Sequence, residues 1–385
     1  MVTIGIAGVS GYAQNHLRAL RELEQQGLVR LVAAVAINAA EIPETVADLE
    51  SRGVEIYGNY TAMLSAWQGR LDVVCLPTPI HLHASMTIAA LEAGFHVFVE
   101  KPLSATVAEV EAIIAARERS GLFVGVGFQD ISLPQAQEVK RLLLEGALGD
   151  LREIQIGALW PRGLAYFARS GWAGRIAVGD QAVYDSPLSN ALAHFANLAF
   201  YWAGATPQVS CQLTGVEAEL YRANPIENFD TIAARFMTDR SQPIRFLASH
   251  ACTEEREARI LVSCAAGNVL WHNGQDVTIT WPDGSQKVEP LPRPGRYMVP
   301  MWRAFLDRLQ GHDAPMATPE IACTHTYAVE MVQRSVPVQT VAADVLRERA
   351  EAITIMGLES VFDRAWSRGV LFSEAGASWA APAPS

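Results

Sequence analysis

The chain has 385 residues, half of them apolar and 18% charged, which suits two ordinary globular domains. Its net charge of −11 argues against a nucleic-acid or membrane-surface partner, both of which need a basic face, but leaves room for a small anionic substrate. Five scattered cysteines (Cys75, Cys211, Cys252, Cys264, Cys323) form no CxxC and no metal-ligand spacing, so a reduced compartment and no metal are expected. No basic leader stands at Met1-Val2-Thr3, and Asn190, His194 and Asn197 interrupt the apolar stretch 188–205. A cytoplasmic protein without a membrane span is expected.

Val2–Ala7 reads as a strand running into Gly8-Val9-Ser10-Gly11-Tyr12-Ala13 and then a helix with Leu17, Leu20 and Leu23 on its inner face. A dinucleotide-binding loop needs glycine for a tight turn, glycine for approach of the pyrophosphate, and a small residue for helix–strand packing. Gly8, Ser10 and Ala13 stand at those places; Ser10 departs from the pattern, with Gly11 beside it. The next strand, Leu28–Ala36, is a nearly continuous apolar run, as for a strand buried on both sides. It ends at Ile37-Asn38, where an acid usually reads the ribose and an arginine the extra phosphate. The nearest acid is Glu41, so the preference between NAD and NADP is open.

A helix around Pro43–Arg52, a strand near Val54–Tyr57 and a helix from about Thr61 come next. Leu71–Pro102 then reads as strand, helix and strand: Val73–Leu76 ending at Pro77, a pattern of Ile80, Ala84, Ile88 and Leu91 stopping at Gly94, and Val97–Val99 ending at Glu100-Lys101-Pro102. Such a unit lays its strands parallel and adjacent, and ligands gather beyond their carboxyl ends. Pro77-Thr78-Pro79 and Glu100-Lys101-Pro102 are therefore expected to share a crevice. Thr106 and Glu109 form a capping box for a helix running to Gly121, and Leu122–Phe128 is one more strand. The alternation predicts an α/β, doubly wound parallel sheet over residues 1–128.

Thr78-Pro79 with His83, then Ala93-Gly94 with His96-Val97, then Glu100-Lys101-Pro102 resemble the glucose–fructose oxidoreductase, inositol dehydrogenase and rhizopine-catabolism (Gfo/Idh/MocA) family of nicotinamide-dependent oxidoreductases. The resemblance implies a Rossmann domain holding NAD or NADP through Gly8, Ser10, Gly11, Tyr12, Ala13, Asn38, Pro77, Thr78, His81, His83, Glu100, Lys101 and Gln129. It also implies Lys101 as a catalytic residue that touches substrate. His81, His83 and His96 have structural readings too, and His81 and His83 lack a third ligand at metal spacing.

Beyond residue 128 the pattern changes. A helix over about Pro134–Glu145 and a strand at Leu151–Leu159 precede β-like runs at Val209–Leu213, Thr231–Met237, Ile244–Ser249, Arg259–Ser263, Val269–Trp271 and Val277–Trp281. A helix carrying Trp302, Phe305 and Leu309 follows, then helical segments over Thr318–Ser335 and Val341–Met356. This predicts a C-terminal α+β domain, residues 129–372, with an open, largely antiparallel sheet, followed by a disordered tail over 373–385. By the resemblance this domain binds substrate and forms a homodimer or homotetramer interface.

Ser186-Pro187 caps a predicted helix ending at Gly204, with a neutral stripe of Asn190, His194, Asn197 and Tyr201 that suits a pocket floor. The resemblance implies that His194 is the acid–base partner of Lys101. Where the family carries acids flanking that histidine, this chain has Asn190 and Asn197, and Asp185 is a substitute for them. Trp160-Pro161-Arg162 and Trp172-Ala173-Gly174-Arg175 suit a polyol or sugar acid, or a packed surface loop. The substrate-binding set is thus Lys101, Arg162, Trp172, Arg175, Asp185, Asn190 and His194. The implied activity is hydride transfer between a nicotinamide and a secondary alcohol or ketone of a sugar, polyol or related cyclic compound. The two asparagines also leave room for a lyase or epimerase that oxidises transiently, and Ser10 for a non-catalytic sensor.

Overall fold

Apolar runs too short for helices alternate with amphipathic helices from Val2 onward, and this alternation builds the first unit. The computed structural model describes residues 1–293, 295–349 and 351–380. Its first unit holds Met1–Leu133 and Arg293–Ala322; its second holds Pro134–Pro292 and the described residues from Cys323 onward. In chain order the first unit comprises β1 (Val2–Ala7), α1 (Ala13–Gln25), β2 (Val29–Val35), α2 (Pro43–Ser51), β3 (Glu55–Tyr57), α3 (Tyr60–Trp67), β4 (Val73–Leu76), α4 (His83–Glu92), β5 (His96–Val99), α5 (Val107–Ser120) and β6 (Val124–Val126).

Its strands pair in the order β3-β2-β1-β4-β5-β6, all parallel, so β1 and β4 are neighbours although far apart in sequence. This is the expected doubly wound sheet. β4 and the last three residues of β5 are fully buried, which is why they read as unbroken apolar runs. The Thr106–Glu109 capping box starts α5, and Gly121, at φ 68°, ends it in the left-handed conformation.

The second unit opens with α6 (Pro134–Leu144) and β7 (Leu151–Leu159), then α7 (Leu164–Phe167), β8 (Ala177–Val178), β9 (Gln181–Ala182) and α8 (Ala193–Ala203). Seven strands follow: β10 (Leu213–Arg222), β11 (Thr231–Thr238), β12 (Pro243–Ser249), β13 (Arg256–Cys264), β14 (Asn268–His272), β15 (Asp276–Thr280) and β16 (Gln286–Pro290). In the chain come next α9 (Met298–Leu309), which belongs to the first unit, and then α10 (Pro319–Ser335), β17 (Val338–Thr340), β18 (Leu346–Arg349), β19 (Ala352–Ile355) and α11 (Leu358–Arg368). Among the described residues the large sheet runs β16-β15-β14-β13-β7-β12-β11-β10-β17, antiparallel except at β12–β7 and β10–β17. Register separates its faces. Ile156, Ile260 and Trp271 align across β7, β13 and β14, and Trp271 meets Trp202 of α8 with ring centroids 5.5 Å apart. Gly157 and Arg259 align one residue on, and therefore on the other face, where Trp366 and Phe362 of α11 fill the space that a Gly157 side chain would take.

Four expectations need correction. The helix with Trp302 and Phe305 belongs to the first unit: Met301, Trp302 and Phe305 are fully buried with Ile4, Leu20, Cys75 and Phe98 in one core. The division is thus not a single cut at 128/129. Val341–Met356 is not helical but a short 3₁₀ turn and the β18–β19 hairpin, whose Ile353 and Ile355 pack into the second core; tertiary packing overrides the helix-forming Ala, Glu and Arg there. The strand read at Val209–Leu213 lies further on, as β10. In the expected tail, Ala375 and Ala377 are buried and Trp379 meets Tyr221 edge-on at 5.1 Å, while residues 381–385 lie outside the described residues.

Candidate active site

In the first unit the sequence-predicted cofactor residues gather along the carboxyl edge of the parallel sheet. After β1, Gly8 and Gly11 have φ of 102° and 57°, a region costly for other residues, so the turn itself demands glycine. A side chain at Gly8 would meet only the Pro77 carbonyl, 4.0 Å away, placing the ends of β1 and β4 side by side. Ser10, Gly11 and Tyr12 are exposed, and Ala13 is fully buried where α1 packs on the sheet. The tight-turn and packing roles of a dinucleotide loop are therefore filled, and the loop between them is open to a ligand. Beyond β2, Ile37 is exposed and the Asn38 amide donates to the Glu41 carboxylate at 3.2 Å.

Beyond β5, Glu100 is buried and Lys101 partly buried. The Lys101–Pro102 peptide bond is cis. Glu100 Oε2 accepts the backbone N–H of Lys101 at 3.0 Å, and Oε1 lies 2.9 Å from His16 Nε2. Trp302 donates its indole N–H to His16 Nδ1 at 3.1 Å. Indole nitrogen is a donor only, so Nδ1 accepts, and the ring proton resides on Nε2, directed at the carboxylate. Gly127 makes room for this pair: a Cβ there would lie 2.8 Å from Glu100 Oε1. His16, Trp302 and Gly127 escaped the sequence reading, although a histidine on the apolar face of α1 was a visible signal.

His83 is a correction. It is buried, with Nδ1 2.7 Å from the Pro102 carbonyl and Nε2 2.8 Å from that of Thr78, so it ties the loops after β4 and β5 together and does not face a ligand. Burial lowers its pKa, against the pull of the two carbonyls. His96 accepts the Phe123 N–H at 2.9 Å, a structural role. His81 lies partly buried in the 3₁₀ turn Ile80–Leu82, next to Pro77 and Thr78, and Gln129 opens a 3₁₀ turn beyond β6.

In the second unit the helix predicted from Pro187 is broken. Residues Pro187–Ala191 form a π-helical turn, closed by the Leu192 N–H donating to the Pro187 carbonyl at 2.9 Å, before α8 begins at Ala193. A Ser186–Ser189 capping box and His325, which donates to the Leu188 carbonyl at 3.0 Å, hold the turn; such bulges recur at functional sites. The bulge and the burial of α8 undo the predicted stripe. Asn197 and Tyr201 are buried, and the Tyr201 hydroxyl donates to Gln137 Oε1 at 3.0 Å; His194 and Asn190 are partly buried. Asp185 accepts from Asn190 Nδ2 at 2.8 Å and from the Gly174 N–H at 2.6 Å.

Arg175 leaves the substrate set, because its guanidinium pairs with Glu227 at 2.5 Å. Arg162 and Arg169 behave differently. Their guanidinium carbons lie 4.9 and 3.7 Å from the centroid of the Tyr166 ring, and Arg169 is also 5.0 Å from that of Trp172. Among the described residues no cluster of three or more His, Cys, Asp or Glu side chains could hold a metal ion, and no helix is long and apolar enough to cross a membrane.

Comparison with known proteins places this geometry. Residues 2–128 match the family model described as an oxidoreductase family with an NAD-binding Rossmann fold. The dTDP-3,4-didehydro-2,6-dideoxy-alpha-D-glucose 3-reductase of Actinomadura kijaniata is 31% identical over 151 residues, 39% of this chain and 43% of that protein. The levoglucosan dehydrogenase of Pseudarthrobacter phenanthrenivorans is 34% identical over 113 residues, 28% of this chain and 29% of that protein. The chain spans less than half the length of the curated relatives it matches. A levoglucosan dehydrogenase solved with NADH and levoglucosan has the same fold over 87% of this chain and 96% of its own, with TM-score 0.72 and 17% identity. The WlbA dehydrogenase of Bordetella pertussis, solved with NADH and UDP-GlcNAcA, covers 87% of this chain and 95% of its own, with TM-score 0.72 and 20% identity. Residues 2–128 are thus similar to the Gfo/Idh/MocA oxidoreductase family, whose model is described by its NAD-binding Rossmann fold.

Proposed function

We propose that the protein is an NAD(P)-dependent oxidoreductase acting on a secondary alcohol or ketone of a sugar, polyol or related cyclic compound. The observation that carries this reading is Lys101 held at the carboxyl edge of the parallel sheet, its backbone fixed by a buried carboxylate that His16 in turn supports. When bound, the nicotinamide supplies the hydride acceptor or donor. Lys101 takes or returns the proton of the reacting hydroxyl, and the family resemblance gives His194 an acid–base role. Pro77, Thr78, His81 and Gln129 line the cofactor side with the β1–α1 loop; Asn190 and Trp172 serve the substrate. The protein works in the cytoplasm as a homo-oligomer.

Purified protein mixed with NAD and a panel of sugars and polyols tests this. Growth of absorbance at ~340 nm with turnover supports net oxidation. Turnover of the sugar without net absorbance change points to transient oxidation, and binding without turnover to a sensor; either outcome overturns the proposed activity.

A further inference from the structure

Among the described residues, the second unit brings two guanidinium groups, Arg162 and Arg169, over one tyrosine ring, with one carboxylate paired to them. Trp160 and Arg162 are fastened to the end of β12: their backbone N–H groups donate to the carbonyls of Ser249 and His250, at 3.0 and 3.1 Å. His250 is buried and donates Nδ1–H to the Trp160 carbonyl at 2.9 Å; burial and the two nearby arginines push its pKa down to about 3, so it is neutral. The Tyr166 ring has the guanidinium groups of both Arg162 and Arg169 over it. Among the described residues, Asp185 pairs with the cluster through Arg169 at 3.8 Å, while its oxygens also accept from Gly174 and Asn190. Two guanidinium charges, one shared carboxylate and a neutral histidine leave about one positive charge over. Three buried polar atoms of the same segment, Trp160 Nε1, Arg162 Nε and Ser170 Oγ, have no hydrogen-bond partner among the described residues. Unmet donors at this density are costly unless a ligand meets them. A small cavity bounded by Tyr166, Asp185, Phe229 and His250 lies beside the Tyr166 ring.

We propose that the Trp160–Trp172 segment is an anion subsite and that the substrate is a sugar or polyol acid, its carboxylate forked by Arg162 and Arg169. This rests on the oxidoreductase reading and names its substrate class. A surplus near one charge fits a singly charged carboxylate better than a doubly charged phosphate, and the planar guanidinium matches two carboxylate oxygens at once.

The test uses the full chain with NAD present and calorimetric titration of matched probes: glucuronate and galacturonate, their neutral parents glucose and galactose, and glucose 6-phosphate. Uronates should bind at least ~10-fold more tightly than the parents and the phosphate. Arg162→Gln and Arg169→Gln, each with an unchanged melting temperature, should erase that preference while NAD affinity stays at the parent value. Arg162→Lys, which keeps the charge and loses the fork, should keep only part of it. Equal or absent binding of acids and parents, tighter binding of the phosphate, or preference surviving both glutamine variants overturns the proposal. NAD titration separates the two levels: NAD binding with oxidation of neutral polyols defeats the anion subsite alone, whereas no NAD binding defeats the oxidoreductase reading itself.

Discussion

His16 Nε2 donates to Glu100 Oε1 across 2.9 Å, with the histidine fully buried and the carboxylate nearly so. Trp302 decides which nitrogen of His16 carries the proton, so a tryptophan from the far end of the chain sets the support of Lys101 within the first unit. Removing the donor leaves a buried carboxylate oxygen unsatisfied, typically at ~1–3 kcal/mol and more for a charged group. His16→Leu is expected to lower unfolding free energy by about that much in urea melts, and His16→Gln, which keeps an amide donor, by clearly less. Equal losses would show that the imidazole serves only as packing.

Gly127→Ala should act on the same carboxylate from the other side. Its Cβ would sit within 3 Å of all three carboxyl atoms, so Glu100 must shift and release the Lys101 amide. The expected result is a kcat reduced by ~10-fold or more with modest loss of stability, because orientation is what the carboxylate supplies. An unchanged kcat would mean that Glu100 has no part in placing Lys101.

Cofactor preference follows from the end of β2. The Asn38 amide, at the place where a ribose acid is otherwise expected, donates to the nearby Glu41 carboxylate, whose charge would repel a 2′-phosphate. NAD should bind ~10-fold more tightly than NADP, about 1.4 kcal/mol, and Glu41→Ala should narrow the gap. Titration of both dinucleotides against both proteins checks it; a parent protein that favours NADP refutes the role of Glu41.

Acid should unfold the second unit through His250. Its pKa is about 3 in the folded protein against 6.5 when free, so the unfolded chain binds the extra proton first. Stability from this group is complete above pH 6.5 and is lost as pH falls toward 3, on the order of a few kcal/mol. His250→Phe should flatten that part of the stability–pH curve. A parallel curve would assign the acid sensitivity elsewhere.

Much of this was readable in the residues. Val97–Val99 with Glu100-Lys101-Pro102 located the sheet edge, because a strand buried on both faces has to be apolar and has to stop where the polar turn begins. The Thr106–Glu109 capping box and Gly121 bounded α5 for local reasons. What was not readable depended on contacts distant in sequence. Nothing near Trp302 says that its helix returns to the first core, and nothing near Arg175 says that Glu227 neutralises it. The π turn at Pro187–Ala191, which undoes the even spacing of Asn190, His194 and Asn197, is held partly by His325, more than a hundred residues away.

The central claim is that Lys101 carries the proton in a nicotinamide-dependent oxidation. The most direct measurement is steady-state NADH formation by Lys101→Met beside the parent, on a substrate found by the panel, with melting temperature and NAD affinity recorded for both. The account predicts kcat lower by at least ~10²-fold, with fold and NAD affinity retained, and a smaller loss of ~10-fold for His194→Ala. A Lys101→Met protein that turns over at near the parent rate would contradict it.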